Sequence, residues 1–287
     1  MSKISVVIVG RNDDYSGDLD SRSIPSMNSM VQEFDEVVYV DFNSPECSYL
    51  NKISDAIPKT GKIKHIIIPP KDAKALDPAV GDRFIEAWAR NIGIRRCSND
   101  FIASTNIDII SSRPDMQKIS KDVMYTCPRR DVPIEVYKSI PREDLKRALH
   151  ANVGKFQPKP DVLDSDGNPI WDENDRWSVV VCCGDFQMAH KDVWEGIRGY
   201  EERNKEGRPT GRVYFDTNLM KKASLSGYGI AKTMFDLFHL NHNTGEYINH
   251  EQTTERNCQI EYVQQFESTS NGEDWGFEGH EFEEEII

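Results

Sequence analysis

Short apolar segments alternate with segments of helical periodicity along the first part of the chain. Apolar runs rich in β-branched residues predict strands, and apolar positions that recur at a helical spacing predict helices. We expect strands over residues 4–9, 36–40, 64–68 and 100–105, and helices over residues 24–34 and 81–95. This alternation predicts an α/β fold with a mostly parallel sheet flanked by helices. The mixed pattern beyond residue 123 predicts a smaller mixed region.

The strand predicted over residues 100–105 runs into Asn106-Ile107-Asp108. Residues two apart in a strand project to the same side, so the amide of Asn106 and the carboxylate of Asp108 can share one site. Hard oxygen ligands of this kind suit Mg²⁺ or Mn²⁺, and parallel sheets bind ligands at the carboxyl ends of their strands. The segment therefore predicts a metal site able to hold a diphosphate.

A polar excursion over residues 155–178 is rich in Pro and Asp. It resembles a calcium loop, but Pro169 stands where an EF-hand requires Gly, and Asp175 stands where it requires a bidentate Glu. The Asp-Gly pair that ends at Gly167 instead predicts a hairpin turn. Trp171 and Trp177 are candidates for stacking on a sugar, because few neighbouring apolar residues explain their presence.

The overall composition is that of a soluble globular protein, with 38% hydrophobic and 29% charged residues among 287. No run of about 18 apolar residues exists that could cross a bilayer, and the amino-terminal apolar run is too short for a secretory signal. The six cysteines have no CxxC spacing, which suits reduced thiols. We therefore expect a cytoplasmic protein.

The net charge of −13 is concentrated at the carboxyl end of the chain. Residues 257–287 contain nine acids and no Lys or Arg, which leaves the body near neutral. This balance argues against a nucleic-acid partner. The tail is either a solvated disordered end or an end that docks on the body or on a partner, since it also holds Trp275, Phe277 and Phe282.

Several segments resemble a known enzyme family in their order and spacing. They are the first strand with GRNDD after it, VVYVDFNSPE, ARNIGI and TNID, followed more weakly by VVVCCGDFQMAHKDVWEGIRGYEE and FDTNL. Together they resemble glycosyltransferases of the GT-A fold, and most closely the inverting enzymes of family 2. Two positions depart from the family pattern: Asn106 stands for the first acid of its DxD motif, and Phe215 stands for the first acid of its EDxDL motif.

The resemblance implies a single GT-A-like catalytic domain over residues 1–256. Its nucleotide-binding half would span residues 1–112 and its acceptor-binding half residues 113–256, with residues 257–287 as an acidic tail. The implied reaction moves a sugar from a nucleoside-diphosphate donor, a UDP-sugar being favoured, to a glycan or other hydroxyl acceptor with inversion. Mn²⁺ or Mg²⁺ would be the cofactor.

Two other function classes remain open. A nucleotidyltransferase on a similar sheet normally has a phosphate loop rich in Gly and Arg after its first strand, and GRNDDYSGD is poor in both. A non-catalytic sugar- or protein-binding module of the same fold is conceivable because Asn106 leaves the DxD motif without its first carboxylate.

The resemblance implies a metal site in which Asp108 supplies one ligand and a histidine late in the chain supplies another. The segment FHLNH offers His239 and His242, of which we favour His242 without a firm ranking. A structural or surface imidazole is the alternative for each. Asn106 would contact the cation through its amide oxygen or through a water.

Two aspartates are the candidates for catalysis. An inverting transferase needs a carboxylate to take the proton of the acceptor hydroxyl, and Asp216 is the candidate base, with a helix N-cap as the alternative. Asp185 lies in the segment expected to meet the acceptor or the donor sugar, with a turn carboxylate as the alternative.

The resemblance implies nucleotide contacts after the first two strands, and the helix that leads to the metal strand offers further candidates. For the base and ribose the candidates are Gly10, Arg11, Asn12 and Asp41. For Asp41, a turn cap with the residues that follow it is the alternative. Arg83 and Arg90 lie seven residues apart on the helix predicted over residues 81–95, hence on one face, and either can reach the diphosphate. We favour Arg90, although an i, i+4 salt bridge to Glu86 is an alternative.

Overall fold

The computed structural model of the chain describes residues 2–157, 184–204, 207–209, 215–242 and 271–287. The hairpin expected within residues 155–178 and the two tryptophans in it, Trp171 and Trp177, lie outside the described residues. No helix in the described part of the chain is long and apolar enough to cross a membrane.

Strands and helices alternate over the first hundred residues and become mixed afterwards. The strands are β1 (Ile4–Gly10), β2 (Glu36–Phe42), β3 (Ile63–Ile68), β4 (Phe101–Thr105), β5 (Ile109–Ser111), β6 (Val123–Thr126), β7 (Arg130–Val132), β8 (Phe186–His190), β9 (Gly229–Lys232), β10 (Leu237–Leu240) and β11 (Glu283–Ile286). The helices are α1 (Leu19–Glu33), α2 (Tyr49–Lys52), α3 (Pro70–Leu76), α4 (Glu86–Arg95), α5 (Ile134–Lys138), α6 (Arg142–Ala151), α7 (Lys191–Ile197) and α8 (Phe215–Leu225).

The main sheet has eight strands in the order β11-β3-β2-β1-β4-β8-β6-β9. Its core, β3-β2-β1-β4, is parallel, whereas β8 runs antiparallel to both β4 and β6. The prediction of an α/β fold with a mostly parallel central sheet is confirmed. A smaller sheet of three strands, β5-β10-β7, forms the mixed region.

Both faces of the sheet are covered, which explains why its central strands are apolar throughout. Alternate side chains of β1 enter opposite cores: Val7 packs in the cluster that contains Trp88 of α4, and Ile8 packs in the cluster that contains Met27 of α1. Gly93 of α4 is needed at this contact, because a Cβ there would lie 2.5 Å from a methyl carbon of Val7. The close approach fixes α4 against the strands that carry the site.

The helix predicted over residues 81–95 is wrong at its start, because α4 begins at Glu86. A separate short turn, Pro78–Val80, ends at Gly81, whose φ of 55° lies in the left-handed region. Glycine adopts this conformation without the steric cost that a side chain would bring, and it breaks the helical path. Arg83 therefore precedes the helix instead of lying on it.

The acidic tail docks on the body over residues 271–287. Strand β11 pairs antiparallel with β3 and covers what would otherwise be an open edge of the sheet. Trp275 is 2% exposed and lies under the Arg95 guanidinium, 4.8 Å from the ring centroid. Arg96 donates hydrogen bonds to the carbonyls of Gly276, Phe277 and His280. Of the two alternatives for the tail, the docked one describes these residues.

The small sheet brings distant segments together beside the end of β4. In its register His239 of β10 lies between Ile109 of β5 and Asp131 of β7. The Leu240 amide also donates to the carbonyl of Asp108, which directly precedes β5, at 3.0 Å. The backbone pairing therefore places the acid of the TNID segment next to the late histidines.

Candidate metal and nucleotide site

Asp108, His239 and His242 form one cluster of ligand atoms, all within 4.8 Å of one another. The Asp108 Oδ2 atom lies 3.6 Å from Nε2 of His239 and 3.4 Å from Nε2 of His242. Such separations are those of neighbouring ligands around a divalent ion with metal–ligand distances of about 2.1–2.3 Å. The donor set of one carboxylate and two imidazoles suits Mn²⁺ better than Mg²⁺, because imidazole nitrogens favour transition metals over harder cations. The geometry therefore brings both candidate histidines to Asp108.

The charges of the cluster are strongly coupled. Burial raises the pKa of Asp108, but the hydrogen bond and charge of His239, with the charge of His242, bring it below its usual value. Burial lowers the pKa of His239, and hydrogen bonds with Asp108 and Asp131 outweigh this and raise the pKa to about 9. The imidazolium of His239 thus balances two carboxylates. A divalent ion would replace this proton between the same groups.

Asn106 is engaged at both ends of its amide, which explains an amide at this position. Its Oδ1 accepts a hydrogen bond from Arg90, and its Nδ2 donates to Oδ1 of Asp185 at 2.6 Å. Only a group that both donates and accepts can join a guanidinium to a carboxylate in this way. The structure thus joins Asn106 to Arg90 on one side and to Asp185 on the other.

Asp185 sits at the junction of two parts of the site. Besides the bond from Asn106, its Oδ2 receives a hydrogen bond from Nη1 of Arg129 at 2.7 Å. Arg129 also contacts Oδ1 of Asp131 at 2.9 Å, and Asp131 contacts the His239 ring. A continuous polar path therefore runs from the metal cluster to Asp185. Asp185 is 3% exposed, so this end of the path is shielded from water.

Asp216 lies in the first turn of α8, after the helix has begun at Phe215. Its Oδ1 accepts the amide of Thr217 at 2.8 Å. A side chain on Gly184 would collide with the Asp216 side chain, so glycine at this position allows the backbone beside Asp185 to approach Asp216. Burial raises the pKa of Asp216, and the charges of Asp185 and Glu86 raise it further, despite opposing contributions from Thr217 and Arg90.

Arg90 lies on α4, and its side chain is buried with 1% exposed. It contacts Oε1 of Glu86 at 2.7 Å, which is the i, i+4 pair expected as an alternative. The same guanidinium donates to Oγ of Ser104 at 2.6 Å and to Asn106. Arg83, in contrast, is exposed and donates to the Ala79 carbonyl at 2.6 Å. The prediction that the two arginines share one helix face is wrong, because α4 starts after Arg83.

The candidate nucleotide residues lie together at the ends of β1 and β2. The backbone amide of Asn12 donates to Oγ of Ser44 at 2.8 Å. The Arg11 guanidinium donates to the backbone carbonyl of Asp82. Gly10 is packed against the Tyr39 hydroxyl so closely that a Cβ would collide with it. These residues form a continuous edge beside the end of β4.

Asp41 is 1% exposed and acts as the cap of the turn that follows β2. Its carboxylate accepts hydrogen bonds from the Ser44 hydroxyl and the Tyr49 amide. Burial raises its pKa to about 6, against the lowering effect of these two bonds. The alternative role as a turn cap is therefore present in the structure.

No family model matches the sequence, and a search of curated proteins finds no match. Among solved structures, the chain is similar to the crystal structure of GalNAc-T7 with UDP, GalNAc and Mn²⁺, with a TM-score of 0.54 at 13% identity. The alignment covers 91% of this chain and 48% of that chain, so the protein spans about half the length of that neighbour.

The chain has a GT-A-like fold. The likeness does not extend the assignment to family 2, because identity at this level carries only the fold.

Three residues around the candidate metal cluster were not found from the sequence: Arg22, Arg129 and Asp131. Arg22 is 1% exposed, and its Nε lies 4.0 Å from Oδ2 of Asp108. Its Nη1 and Nη2 atoms donate hydrogen bonds to the backbone carbonyls of Gly17 and Tyr15. Its position on α1 gives no signal, because one charged residue in a helical segment is ordinarily solvated. Arg129 and Asp131 are separated from His239 by more than a hundred residues, so only strand pairing relates them.

Proposed function

We propose that this protein is a metal-dependent glycosyltransferase that moves a sugar from a nucleoside-diphosphate donor to a hydroxyl acceptor, with inversion. The observation that carries the proposal is the cluster of Asp108, His239 and His242, within 4.8 Å of one another in a GT-A fold. The neighbouring structure contains UDP, GalNAc and Mn²⁺, which favours a UDP-sugar donor and a glycan acceptor.

The metal-binding residues in this proposal are Asp108, His239 and His242, and they would hold Mn²⁺ or Mg²⁺. When bound, the ion supplies electrostatic stabilisation for the negative charge that develops on the leaving diphosphate. The three side chains supply a single negative charge when both imidazoles are neutral. They therefore leave the ion with positive charge to offer the donor.

The residues at the ends of β1 and β2 would bind the nucleoside. Gly10 admits close approach of the backbone, and Arg11, Asn12 and Asp41 offer hydrogen-bonding groups to the base and ribose. The buried guanidinium of Arg90 would favour the diphosphate through its charge, whereas Arg83 is exposed and outside α4. Residues 1–112 would thus bind the donor, and residues 113–256 would complete the acceptor side.

Asp216 would act as the general base. As the acceptor oxygen attacks the anomeric carbon, the Asp216 carboxylate takes the hydroxyl proton, and the bond between the sugar and the diphosphate breaks. A raised pKa suits this role, because it makes the carboxylate a stronger proton acceptor. Asp185, held by Asn106 and Arg129, would orient a sugar hydroxyl in the same space.

Thermal melting with nucleotides in Mn²⁺ tests the proposal. UDP at about 100 times its dissociation constant should stabilise the wild-type protein by about 2.7 kcal/mol, and EDTA should abolish the effect. Asp108→Asn should lose the metal-dependent part. Asp236→Asn is the matched control, since Asp236 pairs with His150 at 2.8 Å outside the cluster. If neither UDP- nor GDP-sugars raise the melting temperature in Mn²⁺, the proposal is wrong.

Mn²⁺-dependent hydrolysis of a nucleotide sugar separates the enzyme from a binding module of the same fold. A transferase without its acceptor should release the nucleoside diphosphate slowly, because water can replace the acceptor hydroxyl. Asp216→Asn should retain donor binding and lose this release. Donor binding without turnover in the wild-type protein, with any acceptor tried, would favour the binding module.

A further inference from the structure

Asp131 contacts His239 of the metal cluster without being one of the cluster residues. We call this position the outer layer of the site. Asp131 is the register partner of His239 in the pairing of β7 with β10, and its Oδ1 lies 3.0 Å from Nδ1 of the His239 ring. The opposite ring nitrogen, Nε2, faces Oδ2 of Asp108 at 3.6 Å. The two carboxylates therefore lie on opposite sides of the same imidazole.

This arrangement determines which ring nitrogen is available to a cation. A neutral imidazole carries one proton, and the nitrogen that carries it cannot bind a metal. A carboxylate that accepts a hydrogen bond from Nδ1 holds the proton there and leaves the lone pair on Nε2 directed at the cluster. It also fixes the rotation of the ring about its χ2 angle.

Asn241 competes for the same proton, since its Oδ1 lies 3.1 Å from Nδ1 of His239. The acceptor strength separates the two residues. A hydrogen bond from an imidazole to an ionised carboxylate is roughly twice as strong as one to a neutral amide. The carboxylate of Asp131 therefore dominates, and Asn241 is the weaker second acceptor.

Arg129 keeps Asp131 in place. The side chain of Asp131 is 31% exposed, so solvent alone would leave it free to rotate away from the ring. Arg129 contacts its Oδ1 at 2.9 Å and Oδ2 of Asp185 at 2.7 Å. The guanidinium thus contacts both carboxylates and joins the outer layer to the other side of the site.

We infer that Asp131 is the positioning residue of the metal cluster, directing Nε2 of His239 at the cation, and that Arg129 holds it there. The inference rests on the metal site in the proposed function and extends it to residues that need not touch the cation, the donor or the acceptor. It predicts that the affinity for Mn²⁺ depends on a side chain outside the set of ligands.

The experiment is a titration of each full-length, metal-free variant with Mn²⁺ alone, with free Mn²⁺ measured by electron paramagnetic resonance. The variants are Asp131→Ala, Asp131→Asn and Asn241→Ala, with Asp108→Ala as the reference for loss of a metal ligand. Asp236→Ala is the matched control, because it removes a carboxylate from the ring of another histidine, His150, just before the same strand β10. Melting in EDTA reports whether each variant folds.

Loss of an outer-layer carboxylate typically weakens metal binding by about 10- to 100-fold. We expect a loss in this range for Asp131→Ala, a smaller loss for Asn241→Ala, and wild-type affinity for Asp236→Ala. Asp131→Asn should recover part of the affinity, because its amide oxygen still accepts the Nδ1 proton but more weakly than a carboxylate does. This variant keeps the shape of the side chain and provides the test if Asp131→Ala does not fold.

Wild-type affinity in folded Asp131→Ala, or a greater loss in Asn241→Ala than in Asp131→Ala, would overturn the inference and leave the proposed function standing. If Asp131→Ala does not fold, loss of affinity in Asp131→Asn equal to that in Asp108→Ala would overturn it. Wild-type protein that binds no Mn²⁺ with or without UDP would instead overturn the metal site on which both ideas rest.

Discussion

Replacing Asn106 by Asp restores the acid that the DxD motif normally carries at this position, and the structure predicts that it harms the protein. The amide nitrogen of Asn106 donates to Oδ1 of Asp185 at 2.6 Å. A carboxylate cannot donate this bond unless it is protonated, so Asn106→Asp removes it and sets two negative charges against each other. Arg90, which already contacts Oδ1 of Asn106, is the nearest compensating charge.

Two contributions set the magnitude. Losing a hydrogen bond to a charged group costs about 1.5–3 kcal/mol. Two charges about 4 Å apart at an effective dielectric constant of about 20 repel each other by about 4 kcal/mol. We take the attraction to Arg90 as offsetting about half of this repulsion. Asn106→Ala should therefore lose about 2 kcal/mol of unfolding free energy, and Asn106→Asp about 4 kcal/mol at neutral pH.

Urea denaturation at pH 8 and at pH 5 provides the assay, with each variant compared with wild type at the same pH. The repulsion raises the shared pKa of the new carboxylate and Asp185, so the penalty is full above that pKa and falls as one of the pair takes up a proton. The deficit of Asn106→Asp should shrink at pH 5, whereas that of Asn106→Ala should not. Wild-type stability at pH 8 together with tighter Mn²⁺ binding would refute the reasoning and make residue 106 a metal ligand.

The remaining predictions concern the base, a buried histidine and the docked tail. If Asp216 is the base, kcat/KM should rise with pH through a pKa above that of an ordinary aspartate. Glu86→Gln removes a neighbouring negative charge, so it should shift this rise to lower pH. An unshifted pH profile would show that the charge of Glu86 does not act on the base. Burial lowers the pKa of His65 to about 4 in the folded protein. Between that value and about 6.5, the unfolded chain therefore binds more protons than the folded protein does. Folding stability falls as the pH drops through this window. This pH dependence amounts to at most roughly 3 kcal/mol, and His65→Gln should flatten it. The test is chemical denaturation from pH 4 to pH 7. An unfolding free energy that changes with pH in the variant as steeply as in the wild type would contradict the prediction. Trp275 is buried, so Trp275→Ala should cost about 3–5 kcal/mol of unfolding free energy. Leu225 is exposed, so the control Leu225→Ala should change it by less than about 0.5 kcal/mol. Equal effects of the two variants in urea denaturation would show that the tail does not pack as described.

The parts of the fold that the sequence predicted are those specified by adjacent residues. The central strands are buried on both faces, so their apolar runs stand out, and Asp108 was singled out because it lies three residues after one of these runs. The start of α4 was missed because periodicity does not reveal backbone conformation: Gly81 and Ile85, on either side of Arg83, both lie outside the helical region.

Contacts between distant segments account for what the sequence did not predict. Asp131 reaches His239 only through the pairing of β7 with β10, a relation that no local spacing reveals. The acidic tail has the composition of a solvated segment, yet Trp275 is buried, and Glu278 and Glu284 pair with Arg95 and Arg96 of the body. Its acids thus have partners that a composition average does not consider.

The most direct test of the central claim is the position of Mn²⁺ in crystals grown with UDP, found from the anomalous scattering of the ion. The proposal predicts a single strong peak about 2.2 Å from Oδ2 of Asp108 and from Nε2 of His239 and His242, with diphosphate oxygens on the same ion. A peak elsewhere with UDP bound, or bound UDP without an ion at these three atoms, would contradict it.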